Sequence, residues 1–154
     1  MSAAGSPEPR SAGFTLLELL VVLAIVAIAS AGVGFALRDT AQVQLDREAE
    51  RLGALLETAR ARSRITGVSV TWRATASGFR FEGLAPGELP SHWLDPDTGA
   101  VSATDGAGPV SLGLGPEPII GPQAVLLVSR SLPARRVRLA TDGVRPFSLV
   151  PDTP

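Results

Sequence analysis

The 154-residue sequence has no cysteine, no lysine and only one histidine. Without thiols it can form no disulfide, no thiolate metal site and no cysteine nucleophile, so packing alone must hold the fold. All 14 cations are arginines, a trait of overall composition rather than of any one site. GxSxG, HExxH, phosphate-loop and dinucleotide motifs are also missing, and no enzymatic activity is expected. The lone histidine lies in "HWLDPDTG" (His92–Gly99), where Asp95 and Asp97 have the spacing that opens a calcium loop. The further ligands and the closing glutamate of such a loop do not follow, so the segment reads as a proline-containing turn. Neither a metal nor a cofactor is expected.

Charge is balanced overall, at −1, but unevenly distributed. Residues 130–154 carry five arginines against two acids, whereas 67–129 carry two against six. The chain is long enough for one modest globular domain beside an anchor. The apolar residues are concentrated near the start. From Leu19 to Leu37 nineteen residues pass without a charge, about 28 Å of helix at roughly 1.5 Å per residue, which matches a bilayer core. A cleavable secretory signal has a shorter apolar stretch, although "ASAG" (Ala29–Gly32) has the small residues of a cleavage site.

One carboxylate, Glu18, stands at the entrance to this run, and a charge there needs a partner or access to the interface. Alone, it would reach the headgroups and favour the helix N-terminus. Ahead of it lies the polar "SPEPRSAG", ending in Gly13, and then Phe14, Thr15, Leu16, Leu17 and Glu18. This joining of a glycine, a large apolar residue and a carboxylate to a full-length span resembles the class III signal of type IV pilins and type II secretion pseudopilins. The resemblance implies that a prepilin peptidase cuts after Gly13 and that the new amine of Phe14 is methylated. Residues 1–13 are then a leader, 14–37 the transmembrane half of a long helix, and 38–66 its periplasmic amphipathic half. It also implies that Glu18 neutralises the terminal ammonium of a neighbouring subunit. Such an amine titrates near 8 when unperturbed, and a subunit docked at the wrong height would leave both charges unpaired in a poor solvent. Arg10 precedes the span while Arg38, Arg47 and Arg51 follow it, so loop charge does not give the orientation. The inner-membrane location with a periplasmic C-terminal domain comes from the resemblance.

Beyond Arg38 the apolar positions thin to a stripe, Leu45, Ala49, Leu52, Leu56 and Ala59, at helical steps. Asp46, Arg47, Glu48, Glu50, Arg51 and Glu57 lie between them as a solvated face. The helix is expected to stop at Gly67, which fits a C-terminal cap. The stripe reads either as a coiled-coil partner face or as the face on which the globular domain packs, and the second is preferred because the strands that follow need a core and have no other helix to supply one. "VSVTWR" (Val68–Arg73) and "FRFEG" (Phe79–Gly83) read as a hairpin. Residues 84–122, rich in glycine and proline, read mostly as loop, with a short strand at Val110–Leu114. "AVLLVS" (Ala124–Ser129) suits a central strand, and Arg136–Val150 gives two strands about a turn at Thr141–Gly143, with Pro146 placing the last at an edge.

The expected fold class is therefore α+β: a long N-terminal helix packed on a C-terminal antiparallel β domain, residues 67–154. That order resembles the pseudopilin fold, and "LATDGVRPFSLV" resembles the closing strand pair of the H-type minor pseudopilins. The resemblance implies a structural subunit near the tip of the type II secretion pseudopilus, supporting export of folded proteins, with the other minor and major pseudopilins as partners. The alternative is a minor pilin of a type IV pilus that binds DNA during uptake through Arg135, Arg136 and Arg138. On alternating strand positions Arg136 and Arg138 share a face and would meet phosphates. Aromatic residues are not interleaved with them, and a solvated outer face is the preferred reading over nucleic acid.

Overall fold

The computed structural model describes residues 15–103 and 109–150, with side chains over the same ranges apart from 31–39. Helix α1 spans Leu16–Thr66, and the chain divides into two compact units, Met1–Ala36 and Leu37–Pro154.

In the first unit every large apolar side chain from Leu16 to Ile28 is exposed. A helix without a polar face is built to be covered by something other than water. Ser30, within this stretch, donates its hydroxyl to the Val26 carbonyl oxygen at 2.7 Å, which spares it a need for solvent. Among the described residues no helix is long and apolar enough to cross a membrane. The expected span, 14–37, includes Phe14 and the side chains of 31–39, which lie outside them.

In the second unit the predicted stripe is the buried face of the helix. Leu45, Ala49, Leu52, Leu56 and Ala59 are all 2% exposed or less. The helix ends where its sequence dictates. The amide of Gly67 bonds the Ser63 carbonyl at 2.9 Å, and Gly67 turns the chain at φ 69°, a conformation that costs a side-chain-bearing residue more.

Two antiparallel sheets cover the stripe. One has the order β2-β1-β4, built from β1 (Thr71–Ala74), β2 (Phe79–Glu82) and β4 (Ser111–Gly113). The other has the order β3-β5-β6-β7, built from β3 (Thr98–Ser102), β5 (Gln123–Ser129), β6 (Arg136–Thr141) and β7 (Ser148–Val150). The expected hairpin is β1 with β2, pairing Trp72 with Phe81. Alternation sorts the residues of the second sheet: Val125, Leu127, Val137 and Leu139 point into the core. Trp93 joins them from a loop, its ring centroid 4.6 Å from that of Phe79.

The architecture is thus α+β, a helix packed on antiparallel sheets. β5 is central and β7 is an edge, as the sequence predicts. Residues 84–122 are mostly loop with a short strand near their end, as expected, but they hold one strand that was not: β3 pairs with β5 from Thr98↔Ser129 to Ser102↔Val125. One expectation needs correction. The polar residues of α1 are not all solvated, because Glu48 and Arg60 are buried, at 1% and 2%.

Candidate assembly site

The helix start is built by local chemistry. Thr15 precedes α1, and its Oγ1 accepts the amide of Glu18 at 3.2 Å, satisfying one of the donors that a helix N-terminus leaves open. Thr15-Leu16-Leu17-Glu18 has the T-x-x-E pattern of a capping box, a signal legible in the sequence but overshadowed by the charge of Glu18. Glu18 is exposed and is the only charged side chain from 15 to 30. Among the described residues it has no ion-pair partner. Gly13 and Phe14, the predicted cleavage and methylation positions, lie outside the described residues.

Farther along, polar groups of α1 hold the loops of the domain. Glu48 accepts the Leu94 amide at 2.7 Å through Oε2 and pairs through Oε1 with Arg51 Nη1 at 2.7 Å. Arg51 in turn donates to the His92 carbonyl at 3.1 Å. These two residues clamp the loop that inserts Trp93, and so account for a charge inside the core. Arg60 donates through Nη2 to the carbonyls of Gly143 at 2.7 Å and Pro118 at 3.1 Å. Glu57 accepts the Phe147 amide at 3.1 Å. The β6–β7 turn is thereby fastened to the helix from both sides. Sequence spacing gives no sign of these roles, because the partners are up to 83 residues away.

The turn is also set internally. Asp142 Oδ1 accepts the amides of Val144 at 2.9 Å and Arg145 at 2.7 Å, and the Arg145 amide first, then that of Val144, hold its carboxyl below the usual aspartate range. In "HWLDPDTG" the carboxylate of Asp97 is fully engaged. It accepts from the hydroxyls of Ser129 and Ser131 and from the Ser131 amide at 2.9 Å. The Ser129 hydroxyl, the strongest of these donors, lowers its pKa. Asp97 therefore joins the loop ahead of β3 to the end of β5, and among the described residues no three acids or histidines form a metal cluster.

The three arginines proposed for phosphate are only partly brought together. Arg136 and Arg138 face the same way, opposite Val128 and Leu126, while Arg135 lies in the loop closed by its amide and the Leu132 carbonyl. Arg138 is half-buried, and its Nε is buried without a hydrogen bond. Its register neighbours across the sheet are Leu126, Val101 and Val150. The face is an apolar surface crossed by arginine stems, neither a fully solvated face nor a cationic track.

Residues 9–34 match the prokaryotic N-terminal methylation motif. Over 140 residues the chain is 32% identical to the type II secretion system protein H of Escherichia coli (strain K12), an alignment covering 85% of this chain and 82% of that one. No solved structure matches it. With a methylation motif at its start and that relative matched along most of both lengths, the chain belongs to the type II secretion system protein H family, the H-type pseudopilins.

Proposed function

We propose that this pseudopilin acts as a minor, non-enzymatic subunit near the tip of the type II secretion pseudopilus. The prepilin peptidase cuts after Gly13, Phe14 is methylated at its new amine, and residues 14–37 anchor the chain in the inner membrane. The domain from residue 38 onward lies in the periplasm. On extraction from lipid the apolar half of the helix joins the helices of neighbouring minor and major pseudopilins. Repeated head-to-tail contacts of this kind give an open filament rather than a closed ring.

The observation that carries the reading is the helix surface at residues 15–30, apolar on every side and marked by a single carboxylate at its capped end. Such a surface is suited to lipid or to other apolar helices. The carboxylate at Glu18 lies four residues beyond the predicted amine at Phe14, a spacing that lets subunits set their height by charge. Nothing in the arrangement of Arg135, Arg136 and Arg138 favours nucleic acid over this reading.

Mass spectrometry of the chain extracted from inner membranes tests it. The expected product begins with N-methylated Phe14. A chain beginning at Met1, or after Gly32, would overturn the processing step and the filament role with it.

A further inference from the structure

Between α1 and the edge strand β7 runs a groove that no element among the described residues fills. It consists of two hollows of about 340 and 440 Å³ that share Glu50 and Leu149. The floor is apolar: Ala49, Gly53, Leu139, Phe147 and Leu149. The helix wall is acidic, with Asp46 and Glu50 along one hollow and Glu50 and Glu57 along the other. Arg136 lines the strand side of the second hollow. Asp46 bonds Gln42 at 3.1 Å, and Glu57 holds the Phe147 amide. Glu50, common to both hollows, is exposed and has no partner among the described residues. Among the described residues β7 pairs on one side only, with β6.

Gly53 is a second, independent sign. A glycine inside a helix costs about 1 kcal/mol relative to alanine. Here the backbone does not need it, because an added Cβ would meet nothing nearer than the Phe147 carbonyl oxygen at 3.5 Å and Leu139 at 3.6 Å. What Gly53 does is keep the floor of the groove open.

We propose, on the basis of the pseudopilin reading above, that this groove receives an extended segment of a different pilus subunit, adding a strand beside β7 and setting an arginine or lysine against Glu50. Backbone pairing with an edge strand supplies affinity, and pockets for alternate side chains supply selection. The acidic wall selects a cation. The chain's own segments lack that chemistry. Residues 151–154 add Asp152 and no cation. Of the sheet edges that a second copy would offer, β3, β4 and β7 carry no basic residue, and Arg80 of β2 is held by Glu82 at 2.8 Å.

The absence of natural cysteine gives a clean assay. The full chain carrying Ala54→Cys, in the wall of the groove, is purified in detergent micelles and mixed with each remaining purified subunit of its secretion system. Maleimide labelling is timed, with Ser77→Cys on the exposed β1–β2 turn as the control site. One subunit is expected to slow labelling at position 54 at least tenfold and leave position 77 unchanged. Adding Glu50→Arg is expected to abolish the protection, and a partner whose basic residue is changed to glutamate is expected to restore it. Gly53→Leu, which fills the floor, is expected to abolish it as well. Subunits that bind the chain but leave position 54 fully reactive overturn the groove while the pseudopilin reading stands. Failure of every subunit to bind overturns both. Protection in the isolated chain that rises with its concentration, or that vanishes when 151–154 are removed, identifies a second copy or the chain's own tail and overturns the proposal.

Discussion

Arg60 reaches from the buried face of α1 to the carbonyl oxygen of Gly143, 2.7 Å from Nη2, and so ties the helix to the turn between the last two strands. The same guanidinium takes the Pro118 carbonyl, and Glu57 beside it takes the Phe147 amide. A long helix and a late turn are therefore joined by a buried guanidinium and the half-buried carboxylate beside it.

Arg60→Met keeps the apolar stem but strands two carbonyls. It is expected to destabilise the domain by about 3 kcal/mol, the order seen when one partner of a buried charged contact is removed. Arg60→Lys is expected to recover only part of the loss, since an ammonium lacks the planar fork that reaches both oxygens. Urea unfolding of the full chain in micelles, followed by the fluorescence of buried Trp72 and Trp93, measures both. Stability of Arg60→Met equal to the native chain would remove Arg60 from its anchoring role.

Glu48 makes a comparable contact with the Trp93 loop. Glu48→Gln retains an acceptor for the Leu94 amide and is expected to cost about 1 kcal/mol. Glu48→Leu leaves that amide and Arg51 without it and is expected to cost about 3 kcal/mol. The second change is also expected to shift Trp93 emission to longer wavelength as the loop loosens. Equal costs for the two variants would show that the hydrogen bond to Leu94 contributes nothing.

Asp97 predicts a pH dependence. Its carboxyl sits below the ordinary aspartate value of 3.8, chiefly through the Ser129 hydroxyl and then through Ser131. A carboxyl with a depressed folded-state pKa adds stability above its unfolded value, and that increment is lost as pH falls through the folded one. Melting temperature is therefore expected to fall below about pH 4, and less steeply in Asp97→Asn than in the native chain. Asp142 and Glu82 are lowered too, so the variant should retain part of the acid sensitivity. Parallel melting curves from pH 6 to 2 would exclude the Asp97 contribution.

The two glycines at the helix–turn contact should respond in opposite ways. Gly53→Ala places its Cβ in ordinary van der Waals contact, 3.5 Å from the Phe147 carbonyl oxygen and 3.6 Å from Leu139, and is expected to stabilise by about 0.5–1 kcal/mol through helix propensity. At Gly143 a Cβ would lie 1.9 Å from the Ile120 carbonyl oxygen, with φ at +94°, and Gly143→Ala is expected to cost more than about 2 kcal/mol. Thermal unfolding of both variants decides, and destabilisation by Gly53→Ala would mean that the helix packs more tightly there than a 3.5 Å clearance.

What the sequence made legible follows from range. The stripe from Leu45 to Ala59 has a local period, and the β1–β2 and β6–β7 hairpins have alternation and turn residues. β3 has neither: its Thr98-Gly99-Ala100-Val101-Ser102 holds one large apolar residue and follows turn chemistry, and pairing with β5 makes it a strand. The burial of Glu48 and Arg60 was hidden for a similar reason, as their partners lie 46 and 83 residues onward. At the assembly site the glycine, phenylalanine and glutamate spacing was plain. The cap from Thr15 is equally local, but the charge of Glu18 in an apolar run masks it.

That cap allows the role of Glu18 to be separated from its effect on the helix. A glutamine at the third helical position serves a capping box as glutamate does, but it has no charge to offer an ammonium. If Glu18 only supports the helix end, Glu18→Gln should be processed and assembled like the native chain. If it balances the methylated amine of a neighbour, Glu18→Gln should still be cut after Gly13, since the proposed charge pair forms only once a cut has freed that amine. It should then fail to enter pseudopili, as should Glu18→Leu. The expected result is normal leader removal by mass, with at least a tenfold fall in the amount recovered in sheared filaments. Thr15→Ala, which removes the cap and spares the charge, should lower filament recovery far less. Filaments of Glu18→Gln at native abundance would retire the charge-pair account.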